Sequence, residues 1–200
     1  GGADGEQHAN TLLDEYGAEL GADENLIEVW VVEAVLDERA LELFAKGPGE
    51  GGALPGLTSF VVVDFYNFES QATKLLPGLR PEFDFATTYK VGIDDLLLRS
   101  LATEPLVLEL CEAQQADFEL LARAELPLGA LLGARPTLVL HDLPLFAARG
   151  GARREVGRLH VEVRMAQPVS ELFQVYLERH PNERRAIEQR MRASLGAVAP

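Results

Sequence analysis

Arg149, Arg153, Arg154 and Arg158 fall within ten residues, "RGGARREVGR", on a stretch punctuated by glycine. A guanidinium is a rigid fork of donors that grips a carboxylate or a phosphate through two parallel hydrogen bonds. Such a loop suits a phosphoinositide headgroup or an acidic patch on a protein partner. It equally suits a solvated loop that balances an acidic surface.

Other chemistry finds little support. Cys111 is the one cysteine and lies in an apolar stretch, where a lone thiol behaves as a small buried hydrophobe. His8, His141, His160 and His180 are scattered, without the spacing of a zinc site, and His141 and His160 read as polar-face strand residues. No Ser stands in a Gly-x-Ser-x-Gly setting. The Gly47–Gly52 stretch "GPGEGG" lacks the Lys-Ser/Thr of a phosphate-binding loop and reads as a flexible connection. The expectation is a chain that is no enzyme, with neither metal nor cofactor.

Charge narrows the partners. The 200 residues carry a net charge of −14, and residues 1–100 hold 6 basic against 19 acidic side chains, while 101–200 hold 12 against 13. An acidic body repels phosphate backbones and anionic headgroups, so nucleic acid is excluded and membrane attraction is weak or absent. The basic residues cluster late, where the arginine stretch lies. Hydrophobic residues make up 47% of the chain, enough for a core. No apolar run approaches the roughly 18–20 residues of a membrane-spanning helix. The chain opens on Gly rather than Met and shows no signal peptide, as expected of a piece cut from a longer protein. A single cysteine permits no internal disulfide, which fits a reducing compartment.

The elements that must position these residues are mostly strands. Residues 1–23 read as a flexible acidic, Gly-rich tail, with room for a short helix near Thr11–Leu20. "ENLIEVWVVEAVL" sets Ile27, Val29 and Val31 on one face against Glu28, Trp30 and Val32 on the other. "SFVVVDFYNF" is β-branched and aromatic, and a corner at Asn67-Phe68 leads into a strand over "ESQATKLL". Two prolines force a turn at "PGLRP". "EFDFATTYKV" then alternates with period two. A short helix over "GIDDLLLRSLA" starts from an Asp and stops before Pro105. Strands follow over "LVLELCEA", "ELLARAELPL", "RPTLVLHDL" and "GRLHVEVRMA", with "PLFAARGGARREV" as the Gly/Arg loop before the last. From Pro168 the period becomes helical: Leu172, Phe173, Tyr176 and Leu177 share a side, Ser170 is a candidate N-cap, and Pro181 breaks or restarts the helix. Eight short strands imply an all-β antiparallel sandwich. We divide the chain into tail 1–23, sandwich domain 24–167 and amphipathic helix or linker 168–200.

"LRPEFDFATTYKV" resembles the loop and strand with which C2 domains open a central strand, with Pro81, Phe83, Asp84 and Phe85 filling the signature. Pro81 would fix the turn, Phe83 and Phe85 would face the core and Asp84 would tie the loop backbone. "PLVLELCEAQQADFELLARAEL" is similar to a later C2 strand pair. "VGRLHVEVRM" resembles the strand whose placement last marks the type II permutation. With "FVVVDFYNFESQAT" and the Pro and helix after the final strand, the chain resembles the first C2 domain of the retinitis pigmentosa GTPase regulator-interacting protein family, from about Asn25 to Arg179.

The resemblance implies an eight-stranded antiparallel C2-type β-sandwich of type II topology with a C-terminal helical extension. It also implies a role: a coiled-coil and C2 scaffold at the ciliary transition zone and basal body, on the cytoplasmic side, whose C2 domains bind other transition-zone proteins rather than lipid. The alternative is a membrane-targeting C2 domain that takes phosphoinositide through the arginine loop. Type II order would bring that loop to the same end as the loops that hold calcium in other C2 domains. Calcium needs about 6–8 oxygens, mostly carboxylate. Here Thr58 and Ser59 stand in the first of those loops and Glu112-Ala113-Gln114 in the third. Asp37, Glu38, Asp117 and Glu119 have the wrong spacing, so a calcium-independent domain is expected.

Overall fold

A computed structural model describes residues 20–37, 56–114, 117–149 and 153–198, with side chains as far as 193. The tail before residue 20, His8, Glu38 and the "GPGEGG" stretch lie outside the described residues.

The strands, in chain order, are β1 (Glu24–Leu36), β2 (Thr58–Asp64), β3 (Gln71–Ala72), β4 (Leu76–Pro77), β5 (Glu82–Gly92), β6 (Pro105–Ala113), β7 (Phe118–Pro127), β8 (Thr137–Ala147) and β9 (Glu155–Met165). Helix α1 spans Asp95–Thr103, α2 spans Ser170–Arg179 and α3 spans Pro181–Val198. The strands run in the order β3-β2-β6-β7-β8-β9-β1-β5, and β4 also pairs with β2. β9, last in the chain, lies beside β1, with Val29 opposite Val163 and Val31 opposite Val161. This is the adjacency that the permuted strand order requires.

The ladder thins at one place. β7 meets β8 only through Ala122–Ala147 and Arg123–Phe146, whereas β8 follows β9 from Thr137 to Phe146. That short contact is the corner at which one layer of the sandwich passes into the other.

Alternation decides what goes inside. β9 buries Val156, Leu159, Val161, Val163 and Met165 and turns Arg158, His160, Glu162 and Arg164 away from the core. β5 does the same with Phe83, Tyr89 and Val91. Asp94 caps α1, its carboxylate accepting from the Leu97 N–H at 2.8 Å. At Gly157 an added Cβ would lie 2.6 Å from the Val35 carbonyl oxygen, so no larger residue fits where β9 crosses the end of β1.

Four expectations are corrected. The strand read over "ESQATKLL" is two two-residue strands, so among the described residues nine strands stand where eight were expected; Thr73 turns its hydroxyl onto the Val61 N–H at 3.0 Å and interrupts the run. The corner read at Asn67-Phe68 falls earlier: Tyr66 takes φ 52° and the Phe68 N–H returns to the Phe65 carbonyl at 3.2 Å. Part of the Gly/Arg loop is strand, because Leu143 and Leu145 continue the buried alternation through Pro144; a proline costs little where one side of a strand has no neighbour. Ser170 is the first residue of α2 rather than its cap, which is Val169 without a side-chain bond.

α2 and α3 pack on the sandwich. Phe173, Tyr176, Leu177 and Ile187 join the core, while Leu172, read as part of the same stripe, is 46% exposed. α2 ends at Arg179, two residues before Pro181, and α3 starts on that proline.

Candidate interaction surface

One end of the sandwich gathers the close of β1, the β6–β7 hairpin and the β8–β9 hairpin. The Asp37 N–H bonds the Val156 carbonyl at 2.9 Å, and the Ala148 N–H bonds the Leu121 carbonyl at 2.9 Å. The arginine stretch and the candidate calcium acids therefore meet, as the permuted order predicts.

They meet by pairing with each other. Arg149 forms an ion pair with Glu119, whose side chain is 12% exposed, and Gln114 Nε2 donates to the second Glu119 oxygen at 2.8 Å. Asp117 accepts from the Phe118 N–H at 2.8 Å, an ordinary turn contact. Glu112 and Ala113 belong to β6 rather than to a loop, and Ser59, opposite Glu112, is fully buried. Among the described residues, no three His, Cys, Asp or Glu side chains are arranged to hold a metal ion.

The four arginines do not form one clamp. Arg158 is held on two sides, by Glu155 at 3.0 Å and Asp142 at 3.4 Å. Its hydrogen bonds, first to Glu155 and then to Asp142, hold the guanidinium above its usual range. The Arg153 guanidinium lies 4.1 Å over the Phe146 ring. The Arg154 carbonyl accepts from the Ala147 N–H at 2.8 Å. Neither Arg153 nor Arg154 pairs with a carboxylate among the described residues.

The scattered histidines are partly brought together. His141 and His160 stand on β8 and β9 with ring centres 4.3 Å apart. His180 caps the C-terminus of α2, its Nδ1 2.9 Å from the Tyr176 carbonyl and its Nε2 3.6 Å from Asp95.

The C2 signature residues sit elsewhere, on β5 and its approach. Phe83 is buried and Phe85 half-buried. The Pro81 carbonyl accepts from the Ala34 N–H at 3.0 Å. Asp84 does not tie the loop backbone: it takes φ 44°, and its carboxylate accepts from Trp30 Nε1 at 3.1 Å. The same outer face of the sheet carries the Arg164–Glu28 ion pair, at 2.7 Å with both side chains 11% exposed.

The feature missed in the sequence is a groove of about 1280 Å³ where β7 and β8 part. Val139, Leu140 and Phe146 of β8, Leu120 of β7 and Met191 of α3 supply apolar lining, and Arg153 stands among them. Its one sequence signal is Pro144, which marks β8 as a strand with a free side.

The family model for the first C2 domain of RPGR-interacting protein 1 matches residues 17–168. X-linked retinitis pigmentosa GTPase regulator-interacting protein 1 of Mus musculus is 32% identical over 155 residues, covering 78% of this chain and 11% of that protein. Protein fantom of Caenorhabditis elegans is 27% identical over 125 residues, covering 61% of this chain and 9% of that protein. The chain thus spans about a tenth of the length of the curated relatives it matches. A solved structure described as "CC2D1B coordinates ESRCT-III activity during the mitotic reformation of the nuclear envelope" is similar in fold, with a TM-score of 0.53 at 18% identity over 78% of this chain and 61% of that one. With its β-sandwich, its last strand beside its first and a family match over most of its length, this chain belongs to the family of the first C2 domain of RPGR-interacting protein 1.

Proposed function

We propose that this C2 domain is a non-catalytic, calcium-independent protein-binding module of a scaffold at the ciliary base, at the transition zone and basal body and on the cytoplasmic side, with other transition-zone proteins as its partners. The observation that carries the reading is the Arg149–Glu119 pair, further tied by Gln114. The acid best placed for a cation already holds an arginine, and that arginine already holds an acid. Arg158, between Glu155 and Asp142, is likewise committed. A net charge of −14 adds repulsion from anionic lipid and from nucleic acid. The names of the mammalian relatives, retinitis pigmentosa GTPase regulator-interacting protein 1, support protein binding as the activity of the longer proteins.

The membrane-targeting alternative rests on Arg153 and Arg154, which pair with no carboxylate among the described residues. Thermal unfolding with and without millimolar calcium, and co-sedimentation with vesicles containing phosphatidylserine and phosphatidylinositol bisphosphate, separate the two. The protein-binding reading expects an unchanged Tm and no pelleting. Pelleting that is abolished by Arg153→Glu with Arg154→Glu would establish the alternative instead. Proximity labelling in ciliated cells tests the location, and absence of label from the ciliary base removes that part.

A further inference from the structure

We propose that the free edge of β8 takes an extended peptide as an added strand, seated in the β7–β8 groove and carrying an acidic side chain that pairs with Arg153. This rests on the protein-binding reading above and names the class of partner. The six consecutive residues Val139–Pro144 all line the groove. A strand that presents a face shows alternate residues, so adjacent lining residues on both sides of the His141-Asp142 irregularity, Val139 with Leu140 and Leu143 with Pro144, bring the edge of β8 to the opening. Among the described residues no strand pairs with that edge between Thr137 and Leu145, because β7 joins β8 only at Phe146 and Ala147. Unpaired strand edges beside an apolar cleft are what β-strand addition uses: the backbone supplies affinity and alternate side chains supply specificity.

Charge selects the occupant. The chain carries −14 overall, yet the groove lining holds four arginines and four carboxylates and so carries no net charge. An acidic segment is therefore not repelled there as it is elsewhere. Arg153, stacked on Phe146 at the β7 end of β8, is held by no carboxylate among the described residues. Val139, 42% exposed on the same edge, offers an apolar contact to one face of the incoming strand. The His141-Asp142 irregularity and Pro144 shorten the edge, which admits a short peptide and discourages long edge-to-edge pairing. The other long free edge, β5, is bent by Asp84 at φ 44° and lined by Glu82, Asp84 and Lys90, so it is blunted in the usual way.

Selection of a random twelve-residue displayed peptide library on the whole chain tests this. The winners should alternate apolar and polar residues and contain at least one Asp or Glu. Synthetic copies should slow amide exchange in Thr137–Leu140, bind at least tenfold more weakly to Arg153→Glu and Val139→Glu, and bind unchanged to Lys90→Glu. Both weakening variants change exposed side chains, and an unaltered Tm shows that they fold. No enrichment overturns the proposal. So do winners that are basic or helical, or indifferent to Arg153→Glu. Winners that bind through another surface sink the β8 site while leaving the protein-binding reading intact; vesicle pelleting sinks that reading itself.

Discussion

Trp30 on β1 donates its indole N–H to the carboxylate of Asp84 on β5, 3.1 Å away, and Asp84 holds a left-handed backbone as it accepts. The two strands slip register beside this contact, from Val31–Phe85 to Glu33–Glu82. Asp84 is thus the pivot of a bulge that bends β5 as it leaves the Pro81 turn. Asp tolerates the left-handed region better than most residues do. Asp84→Ala should lose both the hydrogen bond and that tolerance, for about 1–2 kcal/mol. Asp84→Gly should lose less, because glycine restores the backbone. Urea unfolding orders the variants, and an Asp84→Gly protein weaker than Asp84→Ala would refute the assignment.

Arg164 and Glu28 approach to 2.7 Å on the outer sheet face, yet the contact is too misaligned to count as a hydrogen bond. A shielded pair of this kind contributes little net stability while being costly to break. Arg164→Met or Glu28→Gln alone should each cost about 3 kcal/mol, the low end for a shielded pair. The double variant should recover most of that loss, with a coupling above about 1 kcal/mol in the cycle. Additive losses would show that the pair does not act as a unit.

Cys111 is almost completely buried in β6. Burial, and next the nearby Glu109 charge, push its thiol from 9.0 up to about 11. The folded state therefore keeps its proton where the unfolded chain has released it. The associated stability is complete below pH 9 and is lost as pH rises from 9 toward 11. Cys111→Ala should lose less stability over that interval than the parent, whatever its stability at pH 7. Native alkylation at pH 8 should be slow and should accelerate only in denaturant.

α2 and α3 bury Phe173, Tyr176, Leu177 and Ile187 on the sandwich. Burying a large apolar side chain is worth about 1.5–3 kcal/mol. Ending the chain at Gln167 should lower Tm by more than about 10 °C. Leu172→Ala, at a 46% exposed site, should leave it within about 2 °C. A stable chain ending at Gln167 would make the helices a detachable linker.

The amino-acid sequence by itself determined most of the strands. The period-two runs of β1, β5, β6, β7 and β9 admit one way to bury their apolar residues, and one buried face fixes each register. It determined the helical close as well, since Phe173, Tyr176 and Leu177 recur at helical spacing and Pro181 cannot continue a helix. It also set the family, through the spaced segments around Pro81–Phe85 and in β6, β7 and β9, and the family match spans residues 17–168. Tertiary structure decided what local pattern cannot carry. Asp84 reads as a loop-tying residue until Trp30, 54 positions away in the chain, is brought against it. Arg149 reads as a free cation until the β6–β7 hairpin delivers Glu119 to it. The groove exists because β8 crosses from one layer to the other and touches β7 at only two positions. Contacts between distant segments depend on how strands stack and where ladders stop, and those choices are made by packing the whole core at once.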